Sequence, residues 1–245
     1  FEQKINVKSL AALRNIPAEE LLEKASGGSG PVIDGYVLPE SIPAIFSRGN
    51  QNAVDLLTGW NEDDGVVFGK AQSAVEFKKS LQQQYGEAAG QFLSFFPART
   101  DEQAASSQKI LLRDQEFGIQ NYAWAKEHAK ESSHPVYLYR FARKLPATGD
   151  YLKYGAFHTG EVAYAYGNLR FVERCPWQPA DYALQNTMSD YWANFIKKGD
   201  PNGKGLAKWP AFTKKKLYDN DFEQKSRGKA SAGQRSTGFF DHRNP

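Results

Sequence analysis

The stretch YGAFHTGEVAYAYGNL, Tyr154–Leu169, sets one histidine among aromatic, glycine and alanine residues, with Glu161 three positions on. A titratable ring in surroundings that read as buried needs a partner. Taken alone, His158 has two readings. It is a buried histidine satisfied by one backbone hydrogen bond, or it is a general base. A base requires a nucleophile on one side and an orienting carboxylate on the other. The other histidines sit differently: His128 in the charged helical run AKEHAKE, His134 before a proline, and His242 near the end. All three read as exposed.

Working outward, the nearest candidate for the carboxylate is GWNEDDG, Gly59–Gly65, which follows the apolar run Val54–Leu57. It reads as a functional loop after a buried strand. Glu62, Asp63 and Asp64 repel one another, so grouping them has a cost unless water or a cation is near. A solvated turn satisfies that condition. A calcium loop does too, but the alternating ligands and the downstream glutamate of an EF-hand are missing.

The rest of the chain alternates helical and strand patterns. VKSLAALRNIPAEELLEKA reads as two short helices, with Pro17 suited to the first turn of the second. A flexible loop follows at 25–30. PVIDGYVLP reads as a strand or hairpin turning at Asp34-Gly35, and Ser41–Arg48 as a short helix closed by Gly49. Helices are predicted over Ser73–Tyr85, Glu87–Phe96 and Asp101 to about Glu131, with a break at Gly118 and a capping box at Thr100 and Gln103. Pro135–Arg143 reads as a strand. Pro179 opens a helix whose Leu184, Met188, Tyr191, Trp192, Phe195 and Ile196 form one buried face, and KKGDPNGKG ends it. Three or four strands among long helices make an α/β protein.

Composition narrows the function. The chain has 245 residues, 40% hydrophobic and 13% aromatic, enough for a sizeable core. Its 31 basic and 28 acidic residues lack the concentrated basic face of a nucleic-acid binder. Lys214-Lys215-Lys216 reads as a solvated turn. The single Cys175 permits neither an internal disulfide nor a thiolate metal cage. No apolar run is long enough for a membrane span.

Taken together, the motifs resemble the type-B carboxylesterase/cholinesterase family. GWNEDDG is similar to that family's G-x-N-x-D-E-G loop, and FHTGEVAYAYGNL to its H-G-x-E-x-x-Y-V-F-G segment. MSDYWANFIKKGDPNGKGLAKWPAF (Met188–Phe212) and PVIDGYVLP also have counterparts there, in the same order. The resemblance implies the C-terminal portion of an α/β-hydrolase, residues 1–245 forming part of one catalytic domain with a mixed sheet flanked by helices. It implies carboxylic ester hydrolysis through a Ser-His-Asp triad, with no cofactor and no metal. Carried over by motif, His158 is the base and Asp64 the orienting acid, an aspartate where the family has a glutamate; Glu62 and Asp63 stay open as neighbours.

On the same resemblance, Glu161 and Asp63 hold the histidine loop, although Glu161 also reads as a surface acid at a helix N-terminus. Val67 and Phe68 line the substrate pocket or are ordinary core. No Gly-x-Ser-x-Gly occurs, and GGSGP around Ser29 fails at its last position. The resemblance therefore implies a partner, the N-terminal portion of the same esterase, carrying the nucleophilic serine and the oxyanion hole. The small-molecule ester is the other partner. The alternative is a serine-less cholinesterase-like adhesion or binding protein.

Overall fold

The computed structural model describes residues 7–24, 30–65 and 70–213. The chain divides after Ile45 into two compact units. In the first, α1 (Leu10–Arg14) starts at Ser9, whose hydroxyl accepts the Ala12 N–H, and α2 (Ala18–Lys24) carries Glu19 and Glu20 in its first turn and Lys24 in its last. These charges complement the helix dipole.

The Asp34-Gly35 turn forms as read. Gly35 sits at φ +75°, and Asp34 Oδ1 accepts the N–H groups of Tyr36, Val37 and Leu38. The strands expected on either side do not form. Val32, Ile33, Tyr36 and Val37 are exposed, and the local Asp34 bonds take up the backbone donors that a ladder would use. Helix α3 (Ile42–Ser47) follows, and Gly49 at φ +68° closes it by donating to the Phe46 carbonyl.

The second unit is built on two parallel strands, β1 (Leu56–Asn61) and β2 (Val136–Phe141), paired from Leu56↔Val136 to Asn61↔Phe141. Parallel neighbours need a long crossover. Here it holds α4 (Ala74–Tyr85), α5 (Ala89–Phe95), α6 (Asp101–Arg113) and α7 (Ile119–Glu131). Ser73 and Glu76 close a capping box on α4, and Thr100 caps α6. Between α6 and α7 the chain widens into a π-helical turn, Asp114–Gly118, at the break expected from Gly118. A parallel bridge Asp63↔Phe157 and an antiparallel bridge Val136↔Phe212 extend the pairing, which is thus mixed in sense. Among the described residues there are two strands, not three or four. β1 also starts two residues later than the apolar run and continues through Gly59–Asn61, which the sequence places in a loop.

Beyond β2 come the short α8 (Val162–Ala165) and the long α9 (Pro179–Lys198), with Pro179 in its first turn and Gly199 at φ +71° closing it. Leu184, Met188 and Tyr191 of α9 are buried with Tyr137, Phe141, Tyr164, Leu169 and Trp209 in the main core. Ile196, expected on that face, is 80% exposed: it lies off the edge of the buried stripe, while Phe195 beside it packs on the core. A second core joins Phe77, Leu81, Ala104 and Leu111 within the crossover. His128, expected at the surface, is buried: its Nε2 lies 2.8 Å from the Val54 carbonyl and its Nδ1 3.4 Å from Gln51 Nε2. His134 is half-exposed and pairs with Asp55 at 2.9 Å. His242, Ser29 and Lys214–Lys216 lie outside the described residues. Among those described, no helix is long and apolar enough to cross a membrane.

Candidate active site

The site forms where β1 ends. Asn61 is the last residue of the strand, and the chain turns through Glu62 and Asp63 to Asp64 within one short bend, which the Asp64 N–H closes on the Asn61 carbonyl at 3.3 Å. Gly65 then runs so close to α6 that an added Cβ would lie 1.8 Å from the Lys109 carbonyl oxygen. Only glycine fits there, so the bend is held against α6.

The three acids of the bend go to three different partners. Glu62 pairs with two guanidinium groups, Arg140 at 3.0 Å and Arg113 at 3.3 Å. Asp63 turns to the histidine loop: its N–H donates to the Ala156 carbonyl at 3.0 Å, and its Oδ2 accepts the Ala156 N–H at 2.8 Å. Gly155 lies directly beneath it at φ +58°, where an added Cβ would fall 2.2 Å from Asp63 Oδ2. Asp64 alone reaches the imidazole, with Oδ1 3.1 Å from His158 Nδ1. Its Oδ2 accepts the Asn61 N–H at 2.6 Å. Both carboxylate oxygens are thereby engaged, and the residue is buried at 6% exposure. Burial pushes the Asp64 carboxyl above its ordinary range, against the opposing pull of the Asn61 N–H and the His158 ring.

His158 itself departs from expectation. The sequence suggests a shielded ring, but its side chain is 56% exposed. Asp64 holds one edge, and Phe117 of the π-helical turn stacks on a face at 4.6 Å between centroids. The stack and the carboxylate fix the ring's orientation. Nε2, across the ring from Asp64, has no hydrogen-bond partner among the described residues. The next residue, Thr159, has φ +68°. This left-handed conformation is costly for a β-branched residue, and such strain gathers at functional sites.

Glu161 is half-buried and receives the Asn61 side-chain amide, whose nitrogen also donates to the Phe157 carbonyl at 2.7 Å. Tyr139 lies close by. Burial first, then the charges of Glu161 and Asp64, hold its phenol protonated far above the ordinary range, which makes it no competitor as a base. Val67 and Phe68 lie outside the described residues. Two contributors were missed in the sequence. Asn61 was visible only as the third letter of GWNEDDG. Phe117 carried one signal, an aromatic just before the helix break at Gly118. Among the described residues no group of His, Cys, Asp and Glu is arranged to hold a metal ion. The arrangement can orient a neutral imidazole by its Nδ1–H and receive a proton at Nε2.

The sequence profile of the carboxylesterase family matches residues 2–238. The chain is 27% identical over 200 residues to fumonisin B1 esterase of Sphingopyxis macrogoltabida, covering 76% of this chain and 35% of that protein. It is 28% identical over 223 residues to para-nitrobenzyl esterase of Bacillus subtilis (strain 168), covering 85% and 44%. It is also 26% identical over 228 residues to human neuroligin-2, covering 80% and 27%. Among solved structures, a thermophilic PNB esterase superimposes with a TM-score of 0.69 at 23% identity, over 87% of this chain and 47% of that one. That likeness shows the α/β-hydrolase fold. The chain spans about a quarter to a half of the length of these relatives.

Proposed function

The chain belongs to the carboxylesterase family, and on that premise we propose that it supplies the base and the orienting acid to a serine esterase acting on carboxylic esters. The observation that carries this reading is the 3.1 Å approach of Asp64 Oδ1 to His158 Nδ1, with Asp64 buried and its second oxygen held by a backbone N–H. An ionised carboxylate accepts from Nδ1–H, so the lone pair of the neutral ring lies on Nε2. Nε2 takes the proton of the serine hydroxyl as its oxygen attacks the ester carbonyl. Asp64 stabilises the imidazolium that results. The imidazolium then returns the proton to the departing alkoxide, leaving an acyl-enzyme. Water, deprotonated by the same nitrogen, attacks the acyl-enzyme, and the imidazolium returns that proton to the departing serine oxygen, releasing the acid. The serine and the N–H groups that stabilise the oxyanion come from a segment outside these 245 residues, since no Gly-x-Ser-x-Gly occurs within them.

The test is turnover of an activated aryl ester by the protein that joins this chain to its serine-bearing segment. His158→Ala is expected to lower kcat by about 10⁴-fold or more while leaving the fold intact. Turnover within tenfold of the parent would remove His158 from the chemistry. The segment that natively accompanies this chain decides the second reading: a serine-less binding protein would neither turn over ester nor react with a fluorophosphonate.

A further inference from the structure

Asn61 is buried at 2% exposure, and every polar contact it makes serves the same small region. Its side-chain nitrogen donates to the Phe157 carbonyl at 2.7 Å and to Glu161 Oε2. These two acceptors flank His158, one before it and one after. Its backbone N–H donates to Asp64 Oδ2 at 2.6 Å. The side-chain Oδ1, by contrast, is buried with no hydrogen-bond partner. An orphaned buried carbonyl is a standing cost, and a leucine of similar volume would not carry it. What asparagine provides here, and neither leucine nor aspartate can, is a pair of donors.

We propose that Asn61 is a positioning residue for His158. Its carboxamide ties both ends of the turn 157–161 to the strand end whose backbone holds Asp64, so one residue sets the separation of base and acid. The turn needs such a tie because Thr159 stands in a strained conformation at its centre. Asn61 touches no reacting atom and acts through the histidine. This inference rests on the reading of His158 as the base.

The test reverses the polarity of the link. Asn61→Asp keeps the shape but sets a carboxylate against Glu161 and the Phe157 carbonyl, and like charges push the turn away. Adding Glu161→Gln places a donor opposite the new carboxylate and rebuilds the link in the opposite sense. In the protein joined to its serine-bearing segment, Asn61→Asp is expected to lower kcat about 10- to 100-fold, the scale of a small misplacement, with KM changed less than about threefold. The Asn61→Asp/Glu161→Gln pair should recover part of that loss, since the Phe157 carbonyl still faces the new carboxylate. A purely structural role would lower Tm in Asn61→Asp and leave the kcat of the folded protein at the parent value. Glu161→Leu, which removes only the acceptor on a half-buried residue, should also lower kcat and guards against an Asn61→Asp that does not fold.

A wild-type kcat in Asn61→Asp or in Glu161→Leu, or a folded pair without recovery, overturns the proposal. His158→Ala run alongside separates the failures. If it too keeps turnover, the base assignment has failed; if it is inactive while Asn61→Asp is unimpaired, only the tie has.

Discussion

Asp64 holds a charge where burial disfavours one. Its carboxyl is pushed above the ordinary range chiefly by desolvation, despite the Asn61 N–H and His158 beside it. The sign of the consequence is definite. The unfolded chain ionises this group near pH 3.9, and the folded one ionises it higher. Stability therefore falls as pH rises between those two values, and above both the ionised Asp64 is a constant cost. Asparagine keeps the shape and removes the charge. It also offers an N–H where the ring needs an acceptor, so the productive tautomer is lost. Asp64→Asn is expected to lower turnover about 10⁴-fold while its Tm at pH 7 equals or exceeds that of the parent. Calorimetry and ester kinetics on one preparation check both halves. A Tm several degrees lower would make Asp64 a structural carboxylate.

At the scale of elements, α9 is locked at its start by a buried acid. Asp181 is fully buried in the first turn; it accepts Arg143 through both oxygens, the Tyr164 hydroxyl at 2.8 Å and the Gln178 N–H at 2.9 Å. Burial alone would raise its carboxyl. The Arg143 fork, the Gln178 N–H and the Tyr164 hydroxyl outweigh that and leave it below the ordinary value. Its stabilisation is present above the unfolded value near pH 3.9 and is lost as pH falls through the lower folded value. Asp181→Ala leaves the partly exposed Arg143 only Gln178 Oε1 and the Tyr164 hydroxyl without its acceptor, and should cost about 1–3 kcal/mol. Urea midpoints from pH 7 down to pH 3 should show a shallower acid decline in the variant than in the parent. An equal decline would place the acid-sensitive group elsewhere.

The helix ends were legible because they are written locally: Ser73 with Glu76, Thr100, Pro179 and Gly199 each set a cap within one turn. Strand extents were not. Leu56 pairs with Val136, so the limits of β1 depend on residues far along the chain. His128 was misread because its partners, Gln51 and Val54, lie on another segment. The pairing of Asp64 with His158 was legible through motif order. The tie between them was not, because Asn61 meets its acceptors 96 and 100 residues later.

At the scale of the whole molecule, the proposed division of the triad gives this chain half of the reaction. Asp64 and His158 are paired, with the imidazole more than half exposed and the apolar Tyr151 and Leu152 exposed just ahead of it in the chain. Proton acceptance alone cleaves no ester efficiently; an aligned nucleophile and oxyanion donors supply the larger share of the rate. The chain alone is therefore expected to be inert. Purified residues 1–245 should give no burst with an activated aryl ester and no adduct with a fluorophosphonate, a reagent that reports activated serines. Joined to the serine-bearing segment, the protein should take up one equivalent of reagent, at a serine outside these residues. Peptide mapping locates the adduct, and His158→Ala should slow its formation by orders of magnitude, because the reagent needs the same base as the ester. An adduct on any serine of the chain alone would show that the nucleophile lies within it and overturn the division of the triad. Unchanged labelling in His158→Ala would show that a different group activates the serine.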